Sequence, residues 1–423
     1  MEISVVGGGY VGLVTGACFA ELGHNVTIIE TDPEKVNAIN EKIPPVYEEG
    51  LETLLQKNGG SSLRASTTYD SVITAELVFI CVGTPPGSNG CANLVYLESA
   101  SRSVGEALKH SLTYCVIVVK STVPPGTTEN VVRTKVLETS GKSGNEIGFA
   151  MNPEFLREGR AVEEFMHPDR IVIGCDSPRV TELLSAVYQK INAPLFITGI
   201  TTAEMIKYTS NAFLATKISF SNEIGNLCKH LMIDVYEVMK GVGLDQRIGP
   251  QFLNAGAGFG GSCFLKDVSA LISLAEQNGD DPILLKSILE VNEHQPYRMI
   301  DLLEEETGTL SGKRIAVLGL AFKDNTDDIR NSPSIPVIRE LLKQGVHVAV
   351  YDPMAMPNMR GIFPDLEYCV CAADALLKAE GCLVMTEWPE FTRLDREFDG
   401  MKKRVIIEGR RILSCKDRTG ICW

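Results

Sequence analysis

A glycine-punctuated strand–turn–helix–strand unit at Ile3–Glu30, a proline-free helical stretch from Thr201 to Leu231 and a second run of short apolar strands from near Gly312 together predict an α/β protein. The expected architecture is two Rossmann-like domains joined by a central helical domain that contains a long helix. The changes of texture put the boundaries at 1–200, 201–306 and 307–423.

The elements follow in order. Ile3 to Val6 is a strand, a helix runs from about Val11 to Leu22, and "NVTIIE" is the next strand. The runs "ELVFICVG", "YCVIVVKS", "IGFAMN" and "RIVIGC" end at Gly83, Ser121, Asn152 and Cys175. Continuous apolar runs with helices between them predict buried, mostly parallel strands. Thr201–Leu231 keeps helical periodicity and contains one glycine, Gly225. Glu204, three residues after Thr201, predicts a capping box. Phe213, Leu214 and Ile218 predict that this helix is buried around much of its circumference, and its apolar content predicts a two-fold interface between copies of the chain. Asp281–Glu306 predicts another long helical stretch, bent at Pro296. In the last third "KRIAVLGLAFK", "VHVAVYDP", "GCLVMTEW" and "KRVIIEGR" predict strands, and "PSIPVIRELLKQG" a helix. The "LGLAF" turn lacks the G-x-G-x-x-G spacing, so no second dinucleotide site is expected there.

Bulk properties exclude several classes. A formal charge of -14 argues against binding to nucleic acid. No stretch approaches 18 consecutive apolar residues, so no membrane association is expected. No basic n-region precedes the first strand, and the twelve cysteines show no paired CxxC. The expectation is a cytoplasmic protein with reduced thiols, most of them small buried hydrophobes, and no metal.

Gly7, Gly9 and Gly12 form G-x-G-x-x-G between a strand and a helix. The first permits the tight turn, the second lets a pyrophosphate approach the backbone, and the third allows close helix packing. Glu30 ends the second strand, where a carboxylate accepts hydrogen bonds from the ribose and repels a 2'-phosphate. NAD is therefore expected, although the positive charge of Lys35 nearby works against full exclusion of NADP. Lys207 and Asn211, four residues apart, share one face of the long helix. A lysine on a largely buried helix calls for a partner or a job.

The stretch "GAGFGGSCFLKD" crowds glycines before Cys263 and follows it with Lys266 and Asp267. Glycines let a backbone approach a ligand closely, and the two charges could tune a thiol. A buried cysteine in a glycine turn and a nucleophile both fit these residues. No histidine lies in any motif-like segment, which points away from simple alcohol dehydrogenase chemistry and toward aldehyde-level oxidation through a thioester.

With these residues in view, the chain resembles the UDP-glucose/GDP-mannose dehydrogenase family over essentially its whole length. The resemblance rests on "GGGYVG", "CVGTPP", "KSTVPPGT", "MNPEFLREG", "KYTSNAFLATKISFSNEIG", "DQRIGPQFLNAGAGFGGSCFLKD", "GLAFKDNTDDIRNSP", "YDP" and "TEWPEF". It implies two α/β domains around a central dimerisation region, NAD bound by the first and the nucleotide sugar partly by the last. It also implies oxidation of a sugar C6 alcohol to a carboxylate in two NAD-dependent steps. Matched to the family pattern, Cys263 is the nucleophile, Lys207 steadies negative oxygen, and Asn211 lies beside the C6 oxygen. Asp267 holds water and tunes the lysine, Glu154 is the leading general base, and Thr122 holds a water. On the cofactor side Val11, Glu30, Lys35, Thr84, Thr122, Glu158 and Lys266 join the glycine loop. On the substrate side Phe155, Leu156, Glu158, Phe252, Gly260, Lys323 and Arg410 join Glu154, Lys207 and Asn211, and Arg247 reaches the sugar of a neighbouring subunit.

Three positions depart from the pattern: Leu265 where proline is common, and Glu164 and Glu408 where aspartate is usual. None removes a reactive group. The stretch from "SNAFLATKISFSNEIG" to "RIGPQFLNAG" resembles the UDP-glucose branch, which makes UDP-glucose the expected substrate and a homodimer or larger assembly the expected partner state. GDP-mannose or a UDP-N-acetylhexosamine is the alternative substrate. An inactive nucleotide-sugar-binding scaffold is the alternative class, and the presence of Cys263, Lys207 and Asp267 argues against it.

Overall fold

The structure is a computed structural model that describes residues 1–423 with the exception of Ser88. The chain divides into two compact units, Met1–Ser210 and Asn211–Trp423.

The first unit is built on an eight-stranded sheet. Its strands are β1 (Glu2–Val6), β2 (Asn25–Ile29), β3 (Leu63–Ser66), β4 (Leu77–Ile80), β5 (Cys115–Val119), β6 (Ile147–Met151), β7 (Ile171–Cys175) and β8 (Leu195–Thr198). They run in the order β3-β2-β1-β4-β5-β6-β7-β8. All neighbours are parallel except β6 and β7. The continuous apolar runs become strands buried on both faces, as in β4 and β5. One core lies on each face, around Phe19 and Phe79 on one side and Ile117 and Phe149 on the other. β3 and β8 are short and were not legible as strands. β8 is an edge strand whose Leu195, Phe196 and Ile197 are exposed.

The second unit repeats the topology. β9 (Arg314–Leu318), β10 (His347–Tyr351), β11 (Glu367–Tyr368), β12 (Gly381–Val384), β13 (Ile406–Glu408) and β14 (Thr419–Gly420) form a parallel sheet ordered β11-β10-β9-β12-β13-β14. Both sheets thus contain the 3-2-1-4-5-6 order, whose direction reverses beside the first strand and leaves a crevice at the carboxyl ends. In the second unit the turn after β9 is filled by the protein itself. Asp352 follows β10, as Glu30 follows β2, but it is fully buried. Its carboxylate accepts from the N–H groups of Leu320, Ala321, Met354 and Ala355 and from the Trp388 indole. It has no capacity left for a ribose, the physical reason the second sheet is not a second dinucleotide site.

The long helix spans Ile200–His230, close to expectation. The predicted capping box does not form. Thr201 donates instead to Glu129 at 3.0 Å. Glu204 accepts from the N–H groups of Gly126 and Thr128 at 2.5 and 2.7 Å. Burial raises the Glu204 carboxyl above its ordinary pKa, and these bonds oppose the rise. The reading of Phe213 as buried is also corrected, since it is 62% exposed. The predicted bend at Pro296 is a break between helices Ile283–His294 and Tyr297–Thr307. Gly225 sits where a Cβ would lie 2.7 Å from the Cys422 Cβ. One turn on, the Lys229 ammonium donates to the carbonyls of Gly420 and Trp423.

Candidate active site

The glycine loop has the geometry its sequence implies. Gly7 adopts φ +100°, and a Cβ there would lie 2.9 Å from the Cys81 carbonyl oxygen. A Cβ on Gly12 would fall 1.9 Å from the Gly7 carbonyl oxygen, so no other residue fits. A Cβ on Gly9 would meet nothing within 4 Å. That open space faces the N-terminus of α1 (Tyr10–Glu21), where free N–H groups and the helix dipole favour a pyrophosphate. Glu30 Oε2 accepts from Gly8 N at 2.8 Å, and Oε1 from Thr31 N at 2.8 Å and Asp32 N at 3.2 Å. The carboxylate is thus fixed at the loop, and Oε2 can still accept from a ribose hydroxyl. Val11 is half-buried in the first turn of α1, and Lys35 half-buried in the helix Pro33–Asn40. These residues fit a bound NAD.

Across the same sheet, at the carboxyl end of β6, the chain turns through Pro153–Leu156. Glu154 and Lys207 are both buried, and their Oε1 and Nζ lie 3.1 Å apart. Glu154 Oε2 accepts from Leu156 N at 2.6 Å. The Phe155 ring carries the Arg170 guanidinium 4.0 Å from its centroid and the Lys207 ammonium at 5.4 Å. The partner the buried lysine called for is therefore the predicted base. At the end of β5, Thr84 Oγ1 donates to the Thr122 carbonyl at 2.8 Å. Glu158 is half-buried, and its charge acts on the Tyr10 phenol.

Sequence reading missed Lys120, which directly follows β5 and is 4% exposed. Its ammonium donates to Asn152 Oδ1 at 3.1 Å, and Tyr188 donates to the same oxygen. Burial lowers its pKa from the ordinary lysine value to about 8. A lysine closing an apolar strand at the carboxyl edge of a parallel sheet was the available signal, since ligands of such folds bind at that edge.

The second unit holds the cysteine. Nine of the twelve cysteines are buried, while Cys263 and Cys371 are exposed. Burial pushes core thiols up, Cys115 to about 12. Cys263 instead occupies the N-cap of the helix Phe264–Gln277, where the helix dipole favours negative charge. One turn on, Asp267 is 1% exposed. Its Oδ2 accepts from Asn211 Nδ2 at 2.6 Å, and its Oδ1 pairs with Lys266 at 2.5 Å.

The glycines before Cys263 are packed from below. A Cβ on Gly260 would lie 2.4 Å from the Asn331 carbonyl oxygen, and one on Gly261 would lie 2.9 Å from the Phe322 ring. Gly261 N donates to the Arg330 carbonyl at 2.8 Å. Arg410 donates to the Gly258 carbonyl at 2.5 Å and pairs with Glu387 at 3.0 Å. Lys323, beside Phe322, is half-buried. Phe252 sits at φ +63°, its ring 6.5 Å from that of Phe264. Arg247 stands apart on an exposed turn and chelates Asp245. Glu408 is fully buried and holds the N–H groups of Ile412 and Leu413. Among the described residues, no cluster of three or more His, Cys, Asp or Glu side chains could hold a metal ion.

A dinucleotide loop at a switch point, a buried lysine–carboxylate pair and an exposed cysteine at a helix N-terminus define an NAD-dependent oxidoreductase of the nucleotide-sugar dehydrogenase class. The chain belongs to the UDP-glucose/GDP-mannose dehydrogenase family. It matches the family's NAD binding domain over residues 1–192, its central domain over 201–294 and its UDP binding domain over 316–415. It is 47% identical to the UDP-glucose 6-dehydrogenase AglM of Haloferax volcanii, over 99% of this chain and 98% of that one. The UDP-glucose dehydrogenase structure from Pyrobaculum islandicum superposes with a TM-score of 0.95 at 42% identity, covering 100% of this chain and 97% of that chain. The UDP-D-ManNAc dehydrogenase structure from Pyrococcus horikoshii gives 0.87 at 28% identity, covering 100% and 99%. No helix among the described residues is long and apolar enough to cross a membrane.

Proposed function

We propose that this protein oxidises UDP-glucose to UDP-glucuronate, taking the C6 alcohol through two successive hydride transfers. The observation that carries the reading is the exposed Cys263 thiol at a helix N-terminus, in a chain that also supplies a dinucleotide loop and a buried lysine. NAD, when bound, accepts the hydride in each oxidation. In the first, Glu154 with a water held at Thr122 takes the hydroxyl proton, and Lys207 and Asn211 steady the alkoxide. The Cys263 sulfur then adds to the aldehyde carbon, giving a thiohemiacetal that loses the second hydride and becomes a thioester. Water activated by Glu154 cleaves the thioester, returning the thiol and releasing the acid. One sugar and one water thus yield two NADH. Asp267 holds Asn211 and Lys266 in place for these steps. Phe155, Leu156, Phe252, Gly260, Lys323 and Arg410 are proposed to contact the nucleotide sugar. The functional division proposed is 1–200 for the cofactor, 201–306 for the cysteine and self-association, and 307–423 for the nucleotide. A cytoplasmic site of action belongs to the same reading.

The test is a panel of nucleotide sugars with NAD and NADP, counting reduced cofactor per sugar. The expected result is turnover of UDP-glucose with two NADH each, and kcat/KM for NAD at least about 100-fold above NADP, because a 2'-phosphate would meet the fixed Glu30 carboxylate. Preference for GDP-mannose or a UDP-N-acetylhexosamine would move the substrate. Equal use of NADP would sink the role of Glu30. Identity favours UDP-glucose, being 42% to the UDP-glucose dehydrogenase structure against 28% to the UDP-D-ManNAc one.

Self-association through the long helix is part of the proposal. Phe213, Phe220 and Leu227 are spaced by seven residues and are 62%, 52% and 52% exposed. An apolar stripe at that spacing is what a facing helix packs against. Phe220→Asp should convert an assembly of at least twice 46.1 kDa into a 46.1 kDa species in light scattering. A wild-type monomer with full activity would rule the interface out, and with it a role for Arg247 in a neighbouring sugar site.

A further inference from the structure

The first unit contains a buried carboxylate that the proposed chemistry does not use. Glu48, in the stretch "PPVYEEGLE", is 5% exposed. Its Oε2 accepts from the Tyr10 hydroxyl and from Gly159 N at 2.7 Å. Its Oε1 accepts from Ala161 N at 2.7 Å. Gly159 N also lies 3.1 Å from the Tyr10 hydroxyl oxygen. Neither lysine nor arginine pairs with Glu48 among the described residues. A carboxylate taken out of water without a counter-charge is expensive to keep, and here it is held only by hydrogen-bond donors from two other segments.

Those two segments are the ones the reaction must keep in register. Tyr10 is the first residue of α1, directly after Gly9, where the pyrophosphate would approach. Gly159 and Ala161 end the turn that carries Glu154, Phe155 and Glu158, and Gly159 takes φ +82°. Burial, followed by the hydrogen bond and charge of Glu48 and the charge of Glu158, holds the Tyr10 phenol above its ordinary pKa, so it stays a donor. Glu48 also anchors its own segment, its carbonyl accepting from Leu51 N at 3.2 Å.

We propose that Glu48 is a positioning residue that ties the dinucleotide loop to the Glu154–Ala161 segment, so that filling the cofactor loop orders the sugar-facing segment. The tie rests on the dehydrogenase reading for its purpose and on its own geometry for its existence. Coupling of this kind is reciprocal: sugar binding tightens the cofactor loop by the same factor.

The test uses the full chain as wild type, Glu48→Gln and Tyr10→Phe. Hydrogen–deuterium exchange is followed over peptides covering 154–161, with and without NAD. A glutamine cannot accept from three donors in the same arrangement, and its amide hydrogens face N–H groups. Tyr10→Phe removes only the link to the glycine loop and leaves both backbone bonds to Glu48. In the wild type, NAD should slow exchange at Gly159 and Ala161 about tenfold, and both variants should lose that NAD-dependent slowing while still binding NAD. With UDP-glucose, both should show KM for the sugar raised about tenfold at saturating NAD, with a smaller change in kcat. A residue that only fills space would lower Tm yet leave the NAD-dependent slowing intact, and that result would overturn the proposal. So would its absence in the wild type. If Glu48→Gln does not fold, Tyr10→Phe decides alone. A wild type that shows the slowing but oxidises no nucleotide sugar would sink the dehydrogenase reading and leave the tie standing.

Discussion

Cys263→Ala is expected to lose formation of UDP-glucuronate by roughly 10⁴-fold or more, the scale on which removing a covalent nucleophile acts. The first hydride leaves an alcohol and needs no covalent bond to the enzyme. The aldehyde that results has no carbinol hydride to give until a nucleophile adds to it. The Cys263 sulfur, exposed at the N-cap of its helix, is the group proposed to add. The alanine variant should therefore still interconvert alcohol and held aldehyde. Cys263→Ser adds a weaker nucleophile and, after oxidation, a far poorer leaving group, so it should stall as an oxygen ester or turn over extremely slowly. Intact mass after incubation with UDP-glucose and NAD, with product analysis alongside, separates the cases. An alanine variant that makes the acid at near wild-type rate would return Cys263 to the status of a glycine-turn residue.

Lys207→Met should have the second largest effect, in stability as well as in rate. It leaves Glu154 buried without its partner 3.1 Å away, and such half-pairs destabilise by about 3–5 kcal/mol. In a unit of this size that lowers Tm by on the order of 10 °C. Activity should fall by about 10²–10³-fold from loss of the group proposed to steady negative oxygen, before any loss of folded protein. The double variant Lys207→Met/Glu154→Gln separates the two effects. It removes both charges and should recover most of the Tm while recovering none of the activity. If calorimetry and assay rise together in the double variant, Lys207 serves the fold alone.

The parts of this site that could be read from the amino acids are those whose chemistry is local. The glycine loop and Glu30 lie within one βαβ unit, and the glycines, Cys263 and Asp267 lie within one loop and helix turn. Lys207 and Asn211 announce each other through helical spacing. What escaped reading is held by contacts between distant segments. The Lys207–Glu154 pair joins a helix to a turn after β6, and nothing in either segment names the other. Glu204 looked like a local cap because its spacing from Thr201 allows one, but N–H groups 76 and 78 residues earlier claimed it. Glu48 reaches Gly159 across 111 residues, and no pattern near Glu48 marks it as more than an acidic turn residue. Phe213 was misjudged for a different reason. Periodicity reports that a helix has apolar faces, not whether its own chain covers each of them. β3 was missed because Arg64 and Ser66 break its apolar run, and β8 because it is an exposed edge strand rather than part of a long buried run.

The packing of Cys422 against Gly225 has a consequence for synthesis. Lys229 and the carbonyl of Trp423 are 194 residues apart in the chain. At translation rates of about 5–20 residues per second, the second half of the long helix waits roughly 10–40 s on the ribosome for the segment that closes over Gly225. During that interval Gly225 has Ala255, from nearer in the chain, to pack against but lacks the Cys422 side chain that makes its closest approach. The sheet of the first unit, whose strands all come from residues before the helix, needs no such wait. The nascent chain therefore acquires its cofactor half early, and its cysteine half matures only when the distant segment emerges.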